Sequence, residues 1–223
     1  MLYTVSRAIV GTATNTLCRP TIEGLENVPK TGALILASNH LSVIDSFLIP
    51  VYAGRPVAFL AKAEYFEGGK WRQRAVGAFM GAFGAVPVKR GAGRAAVAAL
   101  DTLTDLLTAG KAIGIHPEGT RSLDGRLHRG HTGVAQLALM TGAPVVPLGL
   151  IGTETVLPVG AKLPKVGAKF TMRFGKPLDF ARYEGLADSP AIRRSVTDEI
   201  MYAILELSDQ VYVDAYHKRP NAA

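Results

Sequence analysis

The run Ala33-Leu34-Ile35-Leu36-Ala37, followed at once by Ser38-Asn39-His40-Leu41-Ser42-Val43-Ile44-Asp45, decides how the chain is read. Five apolar residues between Gly32 and Ser38 suit a short buried strand. Residues 43–51 are mostly apolar and have helical potential. His40 and Asp45 therefore fall at a strand-to-helix junction, where α/β folds gather their chemistry. Positions five apart do not share a helix face, because neighbours there are three and four apart. The two side chains meet only if His40 lies in the turn and Asp45 reaches back from the first helical turn. Ser42 or Asn39 is then the residue to cap that helix.

If they meet, they form a His–carboxylate dyad. Asp45 accepts from one ring nitrogen, fixes the tautomer, and steadies the imidazolium formed when the other nitrogen takes a proton. Such a base contributes roughly 10²–10⁴-fold to rate, and the substrate can bring its own hydroxyl as nucleophile. The same spacing also fits a surface histidine beside a helix-capping aspartate.

Outward from this stretch, residues 56–61, 85–88, 111–115, 143–151 and 170–174 read as strands. Residues 94–108 and 133–140 read as helices, and Ser189-Pro190 opens a last helix with Ile192, Val196, Ile200, Ile204 and Leu207 at helical spacing. Strands separated by a dozen or more residues, with helices between, predict an α/β fold: a largely parallel (mixed) central sheet flanked by helices. Residues 21–30 are a turn-rich lead into it. Residues 1–17 form a short helix, too short and polar to span a bilayer and unlike a signal peptide. It either packs on the domain or lies in a membrane interface. The expected division is an N-terminal helix over 1–20 and a single domain over 21–223.

The 223 residues carry a net charge of +7 and are 48% hydrophobic. That balance favours an anionic partner: nucleic acid, an acidic membrane surface or a phosphorylated substrate. Between Arg55 and Arg94 there are eight basic residues against Glu64 and Glu67, a local excess of six. Tyr65, Phe66, Trp71, Phe79 and Phe83 lie among them, a mixture that seats at acidic headgroups; a solvated helix face is the rival reading. No phosphate-cradling glycine motif and no nucleic-acid recognition motif occurs, so nucleic acid is not an expected partner. Cys18 is the only cysteine, which leaves no disulfide framework and no cysteine metal site. No metal is expected; a metallohydrolase on His40, Asp45, His116 and Glu118 is a remote rival with ligands of suitable type.

A second constellation, His116-Pro117-Glu118-Gly119-Thr120-Arg121-Ser122, follows the strand at 111–115 and should reach the same sheet edge as His40. Gly119 permits close backbone approach, Thr120 and Ser122 offer hydroxyls, and Arg121 offers a planar fork for phosphate oxygens. Arg90, after another strand, adds a cation. Two arginines near a general base suit a phosphorylated hydroxyl substrate.

Asn39-His40-x-Ser42-x-x-Asp45, Pro87-Val88-Lys89-Arg90, Pro117-Glu118-Gly119-Thr120-Arg121-Ser122 and Val145-Val146-Pro147 stand in the order and spacing of the glycerolipid acyltransferase family, whose best-known members are 1-acyl-glycerol-3-phosphate acyltransferases. The similarity runs from about Gly24 to Pro177. The resemblance implies His40 as general base and Asp45 as its orienting partner. An acyl thioester, acyl-CoA or acyl carrier protein, would be the co-substrate, with no other cofactor. Arg90, Glu118, Gly119, Thr120 and Arg121 match the motifs held to bind the glycerol-phosphate part of the acceptor. Lys62 and Lys89 are weaker candidates, and Asn39 and Ser42 belong to the first motif. The implied reaction moves an acyl group to the sn-2 hydroxyl of 1-acyl-glycerol 3-phosphate, giving phosphatidic acid. Glycerol 3-phosphate or another lysophospholipid is the alternative acceptor, and a non-catalytic basic protein binding anions or lipid is the remote one. The family works on membranes, so a peripheral or monotopic position on the cytoplasmic face is expected, with an anionic membrane surface as partner. His116 departs from the family, which usually has an aromatic or aliphatic residue there; it reads as a packing residue rather than a second base. His128, His131 and His217 read as surface or packing residues.

Overall fold

The computed structural model describes residues 2–67, 71–88, 94–161 and 163–217. In chain order these form α1 (Leu2–Cys18), β1 (Thr21–Glu23), β2 (Leu34–Ser38), α2 (Asp45–Tyr52), β3 (Val57–Lys62), α3 (Trp71–Ala82), β4 (Ala85–Val88) and α4 (Arg94–Thr108). There follow β5 (Ala112–Ile115), β6 (Leu127–His128), α5 (Gly133–Thr141), β7 (Val145–Ile151), α6 (Thr153–Val156), β8 (Thr171–Phe174), α7 (Pro190–Ser208) and β9 (Tyr212–Val213). Seven strands make one sheet in the order β1-β8-β7-β2-β5-β3-β4. Every pairing in it is parallel except β7 with β8. The mixed, largely parallel α/β expectation holds.

β2 sits in the middle because all five of its side chains are buried, as a strand covered on both faces requires. Leu34 and Leu36 face one core with Leu48 and Ile49 of α2, Val146, Leu148 and Met172. Ile35 and Ala37 face the other with Leu103 and Leu107 of α4, Leu137 of α5, and Val196, Ile200 and Ile204 of α7. The period-2 alternation thus becomes two helical layers. α7 starts as its sequence predicts: the Ser189 side chain accepts from Ile192 N–H, and Pro190 occupies the first turn. It lies close on β7, where a Cβ on Gly149 would fall 2.2 Å from Leu207 O.

α1 does pack on the domain. Tyr3 Oη, with its single hydrogen, lies 2.9 Å from both Pro50 O and Arg55 O, Arg7 Nε donates to Val51 O, and the Thr14 and Tyr52 hydroxyls lie 2.6 Å apart. Its outer face keeps Ile9 and Leu17 exposed. The aromatic stretch is split: Phe83 is buried against Phe47 of α2, whereas Phe79 is nearly half exposed. Among the described residues no helix is long and apolar enough to cross a membrane.

Three short strands depart from the sequence reading. β1 lies inside the stretch read as a turn-rich lead; it pairs with β8 from Thr21↔Thr171 to Glu23↔Arg173. β6 and β9 pair at Leu127↔Tyr212 and His128↔Val213. Strands of two or three residues carry no periodic signal, so only the partner reveals them.

Candidate active site

β2 delivers His40 two residues past its end, and parallel pairing brings the ends of β5 and β7 to the same edge. His40 Nδ1 lies 2.9 Å from Asp45 Oδ2. That oxygen also accepts from the backbone N–H groups of Leu41 and Ser42, each at 2.8 Å. A carboxylate oxygen only accepts, so Nδ1 carries the ring hydrogen and Nε2 of the neutral imidazole is bare. Asp45 is fully buried while the His40 side chain keeps 16% exposure. The base therefore has a wet side and a fixed side.

The helix cap expected from Ser42 or Asn39 is not formed. Ile44 holds the N-cap position, with no side-chain cap bond. Ser42 Oγ donates instead to Leu157 O. Asn39 is fully buried and extends the β2–β7 ladder by its side chain: Oδ1 accepts from Leu150 N–H and Nδ2 donates to Leu150 O. The reason is competition. At the start of α2 Asp45 N–H already bonds Ser42 O and Phe47 N–H bonds Ile44 O, so the Ser42 and Asn39 side chains are free to tie the loop to Leu157 and to β7.

His116 follows β5, and its ring lies flat on His40, with centroids 3.9 Å apart and planes 5° from parallel. Its Nδ1 is 3.1 Å from Asn39 O and 3.3 Å from Ser38 O, and its Nε2 is 3.4 Å from Ser46 Oγ. Glu118 is turned inward and is 2% exposed. Oε1 accepts from His40 N–H at 3.3 Å and Oε2 from His128 N–H at 2.9 Å. Burial pushes its carboxyl up to about 7, against the pull of those two N–H groups. Ser122 N–H donates to His40 O at 2.7 Å, which lashes the second loop to the first.

Residues 19–151 match the family model described as Acyltransferase. The chain belongs to the acyltransferase family. It is 36% identical over 142 residues to a chloroplast 1-acyl-sn-glycerol-3-phosphate acyltransferase of Arabidopsis thaliana, a match covering 63% of this chain and 38% of that one. It is 30% identical over 188 residues to the 1-acyl-sn-glycerol-3-phosphate acyltransferase of Bacillus subtilis, covering 83% and 86%. The chain spans about two fifths of the length of the plant and algal relatives it matches. In structure it resembles the 1-acyl-sn-glycerophosphate acyltransferase PlsC of Thermotoga maritima, with a TM-score of 0.69 at 25% identity, over 92% of this chain and 78% of that chain.

On this acyltransferase scaffold Gly119 adopts φ 73°, and a Cβ there would sit 3.1 Å from the His131 ring. Thr120 and Arg121 are half-buried beside it, and among the described residues Arg121 makes no ion pair. Lys62 closes β3 at the same edge, its side chain outside the described atoms. Lys89 and Arg90, after β4, lie outside the described residues. Glu118, Asn39 and Ser42 are buried site candidates whose side chains bond the protein's own backbone.

Sequence reasoning missed the His40–His116 stack. The signal was available once β2 and β5 are paired, because the Ala37↔Ile115 register sets residue 116 beside residue 38. It also missed a cluster away from the dyad, in which the ligand atoms of Asp124, His128 and His217 lie within 4.8 Å of one another. Asp124 is committed there to its own loop. Burial opposes its ionisation, but Arg126 N–H, His128 and Ser122 donate to it and hold its carboxyl down at about 2. His128, expected at the surface or in packing, is buried, with the His217 ring edge-on against it at 4.6 Å.

Proposed function

We propose that this chain is an O-acyltransferase that moves an acyl group from an acyl thioester to the sn-2 hydroxyl of 1-acyl-glycerol 3-phosphate, giving phosphatidic acid. The observation that carries this reading is the His40 Nδ1–Asp45 Oδ2 contact of 2.9 Å, which leaves Nε2 as the proton acceptor. Nε2 takes the acceptor's hydroxyl proton as the oxygen attacks the thioester carbonyl. Asp45 steadies the imidazolium. The tetrahedral intermediate then expels the thiolate, which recovers the proton from Nε2, so the histidine ends as it began. Arg121, with Arg90, would hold the phosphate by charge-assisted hydrogen bonds. Gly119 and Thr120 let the acceptor's backbone come close. The names of the relatives support the acceptor, and the co-substrate in this reading is acyl-CoA or acyl carrier protein, with no resident cofactor.

The acceptor is a lipid, so the reaction belongs at a bilayer surface. The net charge of +7 supports an anionic one. Water-soluble thioesters put the peripheral protein on the cytoplasmic face. The test is acyl transfer by the purified chain in mixed micelles. It would use both donors, with 1-acyl-glycerol 3-phosphate, glycerol 3-phosphate and another lysophospholipid as acceptors. Phosphatidic acid should form fastest from the first, and His40→Ala should lower its rate by about 10²–10⁴-fold. An undiminished rate in that variant, or a preference for glycerol 3-phosphate, would overturn the reading.

A further inference from the structure

The loop from Leu157 to Lys169, between α6 and β8, reads Leu-Pro-Val-Gly-Ala-Lys-Leu-Pro-Lys-Val-Gly-Ala-Lys. It holds three lysines and no acid. Val159, Leu163 and Val166 are 66%, 79% and 71% exposed. Three large apolar side chains so exposed within eight residues are unusual for a surface that meets only water. The loop is not loosely hung. Lys165 N–H donates to Val156 O and Gly167 N–H to Leu17 O, each at 2.7 Å, and Leu157 O accepts from Ser42 Oγ. Gly160 and Gly167, at φ 84° and 81°, turn the chain at positions where a side chain would be strained. A braced loop therefore presents its apolar tips outward.

Sheet topology fixes where they point from. β7 runs parallel to β2, so the loop leaves Ile151 at the edge where β2 delivers His40. β8 returns antiparallel with Thr171 opposite Ile151, and β1 starts with Thr21 opposite Thr171. The carboxyl end of α1 must then reach this same edge, as the Leu17–Gly167 bond requires. The apolar outer face of α1, with Ile9 at 64% and Leu17 at 40% exposure, continues into the loop. Arg7 and Arg19 are the charges of 2–19, again with no acid.

We infer that the loop 157–169 is a membrane-contact element: Val159, Leu163 and Val166 enter the headgroup region of an anionic bilayer beside α1, setting the His40 loop against the surface that supplies the acceptor. The inference rests on the lipid reading of the preceding section. Exposed apolar side chains set among three lysines, with no acid in 157–169, fit the headgroups and acyl-chain ends of an anionic bilayer.

The test uses the full chain with an environment-sensitive NBD label on Leu163→Cys, on Ile9→Cys in α1, and on Thr108→Cys at the opposite sheet edge; the native Cys18 is 1% exposed and is not labelled under native conditions. Phosphatidylglycerol vesicles should blue-shift the labels at 163 and 9, phosphatidylcholine vesicles less so, and neither should shift the label at 108. A shift at 9 without one at 163 overturns the loop inference and leaves the lipid reading standing. No shift at either removes both. A concentration-dependent shift at 163 without vesicles assigns the surface to a second copy and overturns the inference. The triple variant Val159→Ser/Leu163→Ser/Val166→Ser, its fold checked by thermal melting, should bind vesicles about tenfold more weakly. It should slow transfer to a bilayer-embedded acceptor while keeping transfer to a monomeric short-chain one. Equal rates on both, or equal loss on both, overturn the inference.

Discussion

His40 and His116 are stacked face to face, with ring centroids 3.9 Å apart. His116 Nδ1 lies 3.0 Å from Ser38 Oγ and close to the carbonyls of Asn39 and Ser38; the carbonyls only accept, so Nδ1 carries the ring hydrogen and the Ser38 hydroxyl accepts beside them. The His116 ring is thus a flat plate that holds the His40 ring in line with Asp45. His116→Phe keeps the plate and is expected to retain activity within about threefold. His116→Ala removes it and should lower kcat by about 10–100-fold with little change in KM, the cost of a base free to tilt. Steady-state kinetics on the two variants separate plate from chemistry.

Asp45 is buried and gives one oxygen to three donors. Asp45→Asn keeps the shape but removes the charge that steadies the imidazolium. The expected result is a fall of about 10²–10⁴-fold in kcat, with the melting temperature changed far less than the rate. A variant within threefold of wild type would mean that the dyad is not the base.

Arg121 is the described cation beside the His40 loop with no ion pair. Arg121→Ala should raise KM for a phosphorylated acceptor by roughly 10–100-fold, the worth of a charge-assisted hydrogen bond. KM for the corresponding phosphate-free monoacylglycerol should barely move. Arg121→Lys should restore little, because an ammonium cannot offer the two-pronged fork.

Glu118 links pH to stability. Its carboxyl is raised from 4.5 to about 7 in the fold, so the folded state holds the proton more tightly than the unfolded one. The stabilisation from this group is therefore full below about 4.5 and is lost as pH rises through about 7. It is worth on the order of 3 kcal/mol at most. Glu118→Gln does not titrate and leaves one backbone N–H poorly paired, at a cost of about 1–2 kcal/mol. Melting curves between pH 5 and 8 should show the wild type losing its advantage as pH rises. The same slope in the variant would assign the effect elsewhere.

Gly149 has no room for a methyl group, since the obstacle is the backbone carbonyl of Leu207 rather than a side chain able to turn. Gly149→Ala should separate α7 from β7 and cost about 3 kcal/mol, lowering the melting temperature by roughly 6–12 °C. An unchanged melting temperature would mean that α7 seats differently.

The alternation of apolar runs and helical periods was enough to place β2, β4, α4, α5, β7 and α7 to within a residue or two, because those patterns are local. The motif residues were legible for the same reason: His40, Asp45 and the 116–122 loop each follow a strand whose buried character is written in five or six neighbouring side chains. Tertiary structure alone decided which strands adjoin β2, that β8 runs against β7, and that residues 127–128 meet 212–213. An apolar pattern states which face is buried, and leaves open what buries it. It also decided the fate of the polar side chains. Asn39, Ser42 and Glu118 look outward-facing in a list of motifs. In the fold each is turned to a backbone group brought from 10 to 115 residues away, because a buried carbonyl or N–H left without a partner costs more than a polar side chain withdrawn from water.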